Sequence, residues 1–286
     1  VIPATLGGKP VVAIGARAFE GYYRSDSITI PATVTYVGDH AFWDYGLRIM
    51  IFEGSECTFG EEVVDGPYWN FIRAPKDSDP IAYAIENGIP YGYPTDEPEN
   101  GFEYLTSGDY SYVIGYDGTP SGDLVIPETL GGKPVRIIFT KAFKDCTEIT
   151  SVYIPDCVED IYESAFEGCT GLKSVRFPNG AMEMSDRVFY GCTSLEEVDL
   201  TNTQSEIYDY SFYGCTSLKT VKMNIGCDDG GRAYSVYDSA FEGCTALEEV
   251  IFPENADWAD FGTRAFANCV NLVAFDADNN AEIYGY

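Results

Sequence analysis

Residues 165–178 read AFEGCTGLKSVRFP, and close variants of this stretch recur along the chain. The variants are FYGCTSL at 189–195 and again at 212–218, FEGCTAL at 241–247 and FANCVNL at 266–272. Starting from Phe143, the anchor phenylalanines lie 23 residues apart three times, and the next two steps are 29 and 25 residues. A fixed period in this range is typical of a solenoid, whose stacked coils bury their apolar faces only against one another.

Each repeat ends in an alternating apolar pattern that predicts a short strand. Leu172, Val175 and Phe177 carry this pattern in the first copy. Alternation buries one side of a strand and leaves the other side in solvent. Pro178 follows the strand and ends it, because proline has no N–H to donate. We therefore predict a β-rich repeat solenoid with one short parallel strand per coil, stacked into a curved sheet, and an irregular or short helical return.

Two arrays of coils follow one another. Residues 1–11 (VIPATLGGKPV) are nearly repeated at 125–135 (VIPETLGGKPV), and the same offset of 124 carries Phe19 onto Phe143. The first array has two recognisable coils and the second has six. An apolar residue also stands five positions before each anchor phenylalanine: Ile14, Val37, Ile138, Ile161, Met184, Ile207, Val236 and Phe261.

Segments between the coils predict caps and a domain boundary. Residues 78–88 predict a closing helix, with Asp79 as N-cap, Pro80 at the first helical position and an apolar face. That face consists of Ile81, Ala82, Ala84 and Ile85. Residues 102–126 predict a hairpin that caps the second array. We predict a first domain over 1–94, a polar linker over 95–101 and a second domain over 102–286. The first lacks a hairpin and the second a complete closing helix, so we expect a piece of a longer protein.

The composition excludes two classes of partner. The chain has 17 Lys and Arg against 46 Asp and Glu, a formal net charge of −29. Such a balance repels nucleic-acid phosphates and anionic lipid surfaces. No apolar run approaches the roughly 18 residues that span a bilayer. We therefore expect neither nucleic-acid binding nor membrane insertion of this segment.

Nine cysteines have no pattern that predicts disulfides or zinc. Six of them stand three residues after an anchor phenylalanine: Cys146, Cys169, Cys192, Cys215, Cys244 and Cys269. Tyr22 and Tyr45 occupy that position in the first array, so we interpret it as a packing position that holds buried free thiols. Stacked side chains would point the same way, whereas a disulfide needs facing Cβ atoms. Cys57, Cys157 and Cys227 lie elsewhere and should not pair.

The outward side of the predicted strands carries two columns of side chains. The first column is Thr150, Lys173, Glu196, Lys219, Glu248 and Val273, and the second is Tyr153, Arg176, Asp199, Lys222, Ile251 and Asp276. Charge sign alternates through the middle coils, which predicts either a cross-strand ion-pair ladder or a concave binding face. The candidate binding residues are Tyr153, Lys173, Arg176, Glu196, Asp199, Lys219, Lys222 and Glu248.

Aromatic residues on the connecting side of the coils form an alternative surface. They are Tyr208, Tyr210, Tyr234, Tyr237 and Trp258. Exposed rings can stack on sugars or anchor a protein partner.

Residues for catalysis or cofactor binding are missing. His40 is the only histidine, which removes most triad and histidine–zinc schemes. The chain has no phosphate loop or dinucleotide fingerprint. Asp276–Asn280 resembles a calcium loop, but Ala281 stands where such loops need glycine. We predict no enzyme activity, no metal and no cofactor.

The repeat unit, the LGGKPV approach and the AYAIENGIP closing segment resemble BspA-like bacterial surface proteins with treponemal-type leucine-rich repeats. The resemblance implies a leucine-rich-repeat fold, an extracellular or cell-surface location and adhesion to host or neighbouring-cell proteins. The extra residues at 227–232 and around Trp258 depart from a uniform repeat. We therefore predict a non-catalytic binding protein that uses its concave strand face. The alternatives are a carbohydrate-binding module and a stalk that displays other domains.

Overall fold

A residue with positive φ turns the backbone at the same point of every coil. The structure is a computed structural model that describes residues 1–21, 27–43, 49–64, 71–93, 98–224, 235–252 and 260–276. Two positions before each anchor phenylalanine the backbone enters the left-handed region, which costs a non-glycine residue roughly 1–2 kcal/mol. The residues there are Arg17, His40, Lys141, Ser164, Arg187, Tyr210, Ser239 and Arg264, with φ between 54° and 63°. Different side chains thus accept one conformation, because the packing of the coils imposes it.

One strand per coil joins a parallel ladder in the second half of the chain, as predicted. The strands are Gly122–Val125, Ile149–Tyr153, Ser174–Arg176, Glu197–Asp199, Thr220–Lys222, Glu249–Ile251 and Ala274–Asp276. They form a three-stranded and a four-stranded sheet in chain order. Between the two sheets the amide of Glu196 donates to the carbonyl of Lys173 at 3.1 Å, so the register continues. The outward side of this ladder is called the strand face below.

A second parallel ladder runs through the apolar position five residues before each phenylalanine. It joins Lys133–Ile138, Asp160–Ile161 and Glu183–Met184, and farther along Ser235–Val236 and Asp260–Phe261. A parallel bridge connects Ile207 to Val236. The prediction of one strand per coil was therefore incomplete, because the buried apolar position carries its own hydrogen-bonded step.

The predicted hairpin lies at the start of the second ladder but is shorter than the predicted range of 102–126, because Gly122–Val125 belongs to the strand-face ladder. Phe102–Ser107 and Tyr110–Tyr116 are neighbours, and Tyr110–Tyr116 runs parallel to Lys133–Ile138. Thr129–Leu130 pairs antiparallel with the start of Lys133–Ile138. Gly131 and Gly132 have φ of 57° and 74°, as a two-residue hairpin turn with both φ values positive requires. A further parallel pair joins Gly180–Ala181 to Thr203–Gln204.

The first array has the same two ladders. The outer one contains Ser27–Ile30, Ile49–Phe52, Phe71–Arg73 and Tyr91–Gly92, and the inner one contains Ala13–Ile14, Tyr36–Val37 and Thr58–Phe59. Thr5–Leu6 pairs antiparallel with Lys9–Pro10, as its counterpart does 124 residues later. The last two outer strands were not predicted, because they lack the phenylalanine and cysteine motif.

A single described helix, Asp79–Glu86, lies where the closing helix was predicted. Its N-cap is Ser78 rather than Asp79, whose carboxylate instead accepts the amide of Cys57 at 2.9 Å. The predicted apolar face was partly wrong. Pro80, Ile81 and Ala84 are buried, whereas Ala82 is exposed and Ile85 is 59% exposed, because only one side of this short helix meets the strands.

By their internal contacts the residues form two units. The first is Val1–Glu97 with Leu105–Asp109, and the second is Pro98–Tyr104 with Tyr110–Tyr286. The linker over 95–101 stays a prediction, because residues 94–97 lie outside the described part of the chain.

Stacked phenylalanine rings fill the core of each unit. The six rings from Phe143 to Phe266 lie face to face, with centroid distances between 5.1 and 5.4 Å and interplanar angles of 10° or less. Phe19 and Phe42 stack in the same way at 5.2 Å. Ring spacing near that of the strands allows one continuous apolar column, so each coil is held by both of its neighbours.

The cysteine position is confirmed as a free thiol with an added role that the sequence did not show. The thiols of Cys169, Cys192, Cys215 and Cys244 are buried as predicted, whereas Cys146 and Cys269, at the two ends of the series, are only half-buried. The thiol of Cys169 donates to the carbonyl of Phe143 in the preceding coil at 3.1 Å. The same contact recurs at 3.2–3.3 Å for Cys192, Cys215, Cys244 and Cys269. All eight described cysteines are free. Cys227, Tyr22 and Tyr45 lie outside the described residues.

Replacing Phe189 with alanine should lower the free energy of unfolding of the second unit by about 3–5 kcal/mol. Phe189 is fully buried, and the change leaves a gap between the rings of Phe166 and Phe212. Urea denaturation followed by circular dichroism measures the loss. The control is Val125→Ala, at a side chain 59% exposed, which should change stability by less than about 0.5 kcal/mol. An equal loss of unfolding free energy in both variants would show that the ring stack does not stabilise the fold.

The thiols of Cys169, Cys192, Cys215 and Cys244 should resist alkylation near neutral pH in the folded chain. Burial raises the pKa of the Cys192 thiol to about 12, so almost no reactive thiolate forms. Mass spectrometry after maleimide treatment should find these four sites unmodified without urea and modified with it. The half-buried Cys157 should react before them. Equal labelling of all sites in the native chain would show that the coils open readily.

Candidate binding surface

The first predicted column runs along the edge of the strand face, because every member except Thr150 lies one residue before a strand of the ladder, and it is continuous and in register. Each amide from Lys173 to Val273 donates to the carbonyl of the preceding column member, at 2.9–3.1 Å. Four of the six members are charged: Lys173, Glu196, Lys219 and Glu248, which we call the charge column. All four are exposed, and none of them forms an ion pair within the described part of the chain. The predicted ion-pair ladder is therefore wrong for this column.

The second column is in register except between Arg176 and Asp199, where the two sheets meet. Tyr153 pairs with Arg176, and Asp199, Lys222, Ile251 and Asp276 follow one another. Arg176 does not reach Asp199. Its guanidinium instead contacts Asp156 at 2.5 Å and lies over the Tyr153 ring at 4.9 Å. Hydrogen bonds from Arg176 and Asn179 hold the pKa of Asp156 well below its usual range.

Lys222 is the one member of the predicted columns whose ion pairs follow the expected cross-strand pattern, among the described residues. Its ammonium group contacts Glu197 at 2.5 Å and Asp199 at 3.3 Å, both on the preceding strand. Hydrogen bonds to these carboxylates raise the pKa of Lys222. Thr201 also donates to Asp199, at 2.7 Å from its hydroxyl. Lys222 and Arg176 are thus engaged within the chain, whereas Lys173 and Lys219 are available to a partner.

The aromatic alternative is only partly assembled. Tyr208 and Tyr237 stack face to face, with centroids 4.9 Å apart, and their hydroxyls reach Glu183 and Glu206. Burial, followed by the nearby Glu206, raises the pKa of Tyr208. Tyr210 is 38% exposed and lies 5.9 Å from Tyr213 at a tilted angle. Tyr234 and Trp258 lie outside the described residues.

Sequence reasoning missed a polar motif that links neighbouring coils at the left-handed turn. The carboxylate of Glu167 accepts hydrogen bonds from Ser164 of its own coil and from Arg187 of the next coil, and it also forms an ion pair with Lys144. Although burial opposes this, the hydrogen bonds lower the pKa of Glu167. Ser239, Glu242 and Arg264 repeat the motif. The signal was a Ser-x-x-Glu sequence ending one residue after the anchor phenylalanine, with arginine at the turn of the next coil.

Arginine and tyrosine extend this turn. The guanidinium of Arg187 lies 4.0 Å from the centroid of the Tyr190 ring, and Tyr190 stacks on Tyr213 at 4.9 Å. These contacts join three successive coils. Since every charged group here has a partner, we interpret the cluster as a coil-to-coil clamp.

Among the described residues, no group of three or more His, Cys, Asp and Glu is placed to hold a metal ion. The His40 ring contacts Glu62 at 3.0 Å and lies edge-on to Trp43. The segment predicted to resemble a calcium loop falls largely outside the described residues. Within the part of the chain that is described, no helix has the length and hydropathy of a membrane span.

Two carboxylates meet on the second ladder. Asp160 and Glu183 are register partners on adjacent strands. Partial burial and the neighbouring Glu183 raise the pKa of Asp160 to about 6, although Arg136 acts in the opposite direction. The raised pKa of Asp160 therefore makes the stability of the fold depend on pH.

Two hydrogen-bonded ladders around a phenylalanine stack, with an open strand face, define a leucine-rich-repeat solenoid. The chain belongs to the family of the BspA type leucine rich repeat region. The family model matches in six copies, within residues 7–66, 136–273 and 231–286. The predicted fold and family are thereby confirmed.

Solved bacterial structures are similar to this chain. The T. pallidum leucine rich repeat protein is 26% identical, over 63% of this chain and 91% of its own, with a TM-score of 0.47. A leucine-rich repeat protein from Bacteroides ovatus is 19% identical, over 97% and 88%, with a TM-score of 0.48. A leucine rich cell surface protein from Faecalibacterium prausnitzii is 20% identical, over 98% and 87%, with a TM-score of 0.44. No curated protein matches the chain.

Replacing Asp160 with asparagine should flatten the pH dependence of stability between about pH 4 and about pH 6. Because the folded-state pKa is raised, the folded chain holds its proton more tightly than the unfolded chain. The stabilisation that protonated Asp160 contributes is fully present below its unfolded-state pKa and is lost as the pH rises through about 6. Urea denaturation across this range should show falling stability in the natural chain and a smaller fall in Asp160→Asn. If the unfolding free energy changed with pH equally in both chains, Asp160 would not be the cause of the pH dependence.

Proposed function

We propose that this chain is a non-catalytic binding protein that holds another protein through the strand face of its second unit. The observation that supports this most is the charge column. Its four side chains are exposed, evenly stepped and without an ion-pair partner in the described part of the chain. Charges of this kind can pair with a complementary surface without breaking any native contact, and they favour orientation and rate of association.

Residues beside the column supply the apolar and aromatic contacts that a protein interface needs. Tyr153 is 39% exposed and is held in place by Arg176, which is itself tied to Asp156. Tyrosine and arginine are enriched among residues that dominate binding energy. The preceding strand offers Val125, which is 59% exposed and is the register partner of Tyr153. We expect this corner to anchor the partner while the charge column sets its orientation.

We infer an extracellular or cell-surface location, with adhesion to a host or neighbouring-cell protein as the role. Membership of the BspA type family is the support for both. Carbohydrate binding remains the second candidate, through the tyrosines of the connecting side. The stacking of Tyr208 on Tyr237 weighs against it, because each ring covers a face that a sugar would need. A stalk that displays other domains would need neither surface.

The double variant Lys173→Glu/Lys219→Glu should lose binding to a protein partner on an array of extracellular proteins and glycans. The change reverses both positive rungs of the charge column and disturbs no ion pair that the described residues form. The matched control is Lys9→Glu/Lys76→Glu, at two exposed lysines of the first unit, with the same change in net charge. Saturable binding to a protein that weakens about tenfold or more only in the first variant supports the proposal.

Two results would contradict it. A glycan bound equally by both variants would move the site to the aromatic side. A folded natural chain that binds neither the array nor a further copy of itself would favour the stalk.

A further inference from the structure

We propose that the partner of the strand face is a second copy of this chain, packed against it in antiparallel orientation. This inference rests on the proposed function, because it assigns the partner of the same surface. The charge column reads positive, negative, positive, negative from Lys173 to Glu248. Such an order is complementary to its own reversal, since each positive rung then meets a negative one. The interface would be isologous, as in most soluble homodimers.

A two-fold axis parallel to the strands, placed between the Glu196 and Lys219 rungs, produces this arrangement. This axis reverses the order of the coils in the second copy, so that each column faces the same column of the partner subunit. Glu196 then faces Lys219 of the partner subunit, and Lys173 faces Glu248 of the partner subunit. Both columns step by the spacing of paired strands, about 4.8 Å. The rungs therefore coincide along the whole column without adjustment.

The neighbouring outward positions fit the same axis. Asp199 faces a lysine, because its rung opposes that of Lys222. Arg176 faces Ile251 on its rung, and Glu197 faces Thr220 on the adjacent column. No pair of like charges meets across these four coils. The arrangement is thus supported by the second column as well as by the first.

The other face-to-face arrangement is disfavoured by the same residues. A two-fold axis along the stack of coils, centred on the strands, would place the first column opposite the second within each coil. Lys219 would then face Lys222, Glu196 would face Asp199 and Lys173 would face Arg176. Like charges would then meet at three successive rungs, although the ion pairs of Arg176 and Lys222 within the chain reduce the repulsion at two of them. The repulsion that remains disfavours this pairing. The charge pattern therefore selects one orientation.

The coils are stacked closely enough for several rungs to meet at once. Successive members of the charge column are joined by backbone hydrogen bonds of 2.9–3.1 Å. The phenylalanine rings of the core repeat at 5.1–5.4 Å. Three steps at the spacing of paired strands make the four-rung column about 14 Å long.

The dimer should be weak. Four short strands present a small face, and interfaces below about 1,200 Å² are typical of transient complexes. The net charge of −29 also opposes the approach of two copies. Physiological ionic strength screens that long-range repulsion, because the Debye length is then about 8 Å, while contacts at the interface persist. Self-association should therefore be measured at physiological ionic strength and at high protein concentration.

Sedimentation equilibrium of two single variants and of their mixture tests the proposal. Lys219→Glu places glutamate opposite glutamate, and Glu196→Lys places lysine opposite lysine, each at two symmetry-related rungs. Each variant alone should dimerise about tenfold or more weakly than the natural chain. In the mixture both rungs again join opposite charges, so the two variants should associate with each other. The double variant Glu196→Lys/Lys219→Glu should dimerise like the natural chain.

The control pair is Lys76→Glu and Glu86→Lys, two exposed residues of the first unit with the same charge changes. Alone or mixed, they should behave like the natural chain. A natural chain that stays monomeric at every concentration overturns the inference, as does a mixture of the test variants that fails to associate. If the chain is monomeric and yet loses an array partner in Lys173→Glu/Lys219→Glu, self-pairing fails while the proposed function stands.

Discussion

Each coil must be closed against its neighbours on both sides, and the stacked phenylalanines with their cysteines meet that constraint. The ring of one coil covers the ring of the next, and the thiol donates to the phenylalanine carbonyl one coil back. That carbonyl belongs to the tight turn that contains the left-handed residue, and it also accepts the backbone amide of the cysteine in its own coil. The small, polarisable thiol of the next coil fits the space and adds a second hydrogen bond. The rest of the fold depends on this inner column, because the strands are too short to be stable alone.

Because the core residues hold the coils together, the outward side chains can differ in what they contact. On the turn side, Ser164, Glu167 and Arg187 clamp one coil to the next. On the strand face, Lys222 and Arg176 are neutralised by carboxylates of the same chain. The charge column is different, since its alternating charges have no internal partner among the described residues. In a chain of net charge −29, the two exposed lysines of this column are the basis of the proposed binding site.

Much of this could be predicted from the sequence because the period is regular. An interval of 23 residues returns the same position to the same place, so the core phenylalanines, the buried cysteines and the register of the first column followed directly. The second ladder was missed, since two-residue strands such as Asp160–Ile161 are too short to show alternation. Strands Phe71–Arg73 and Tyr91–Gly92 lack the motif altogether. Ion pairing was predicted less well, because Arg176 turns to Asp156, which lies beyond the strand after Pro155 and in neither column.

The most direct measurement is zero-length carbodiimide cross-linking of an equal mixture of isotopically light and heavy chains, followed by mass spectrometry. This chemistry joins a lysine to a carboxylate only where they touch. If two copies pair through the charge column, light–heavy links should form between Lys219 and Glu196 and between Lys173 and Glu248. Links confined to single chains, or links between copies that avoid the charge column, would contradict it.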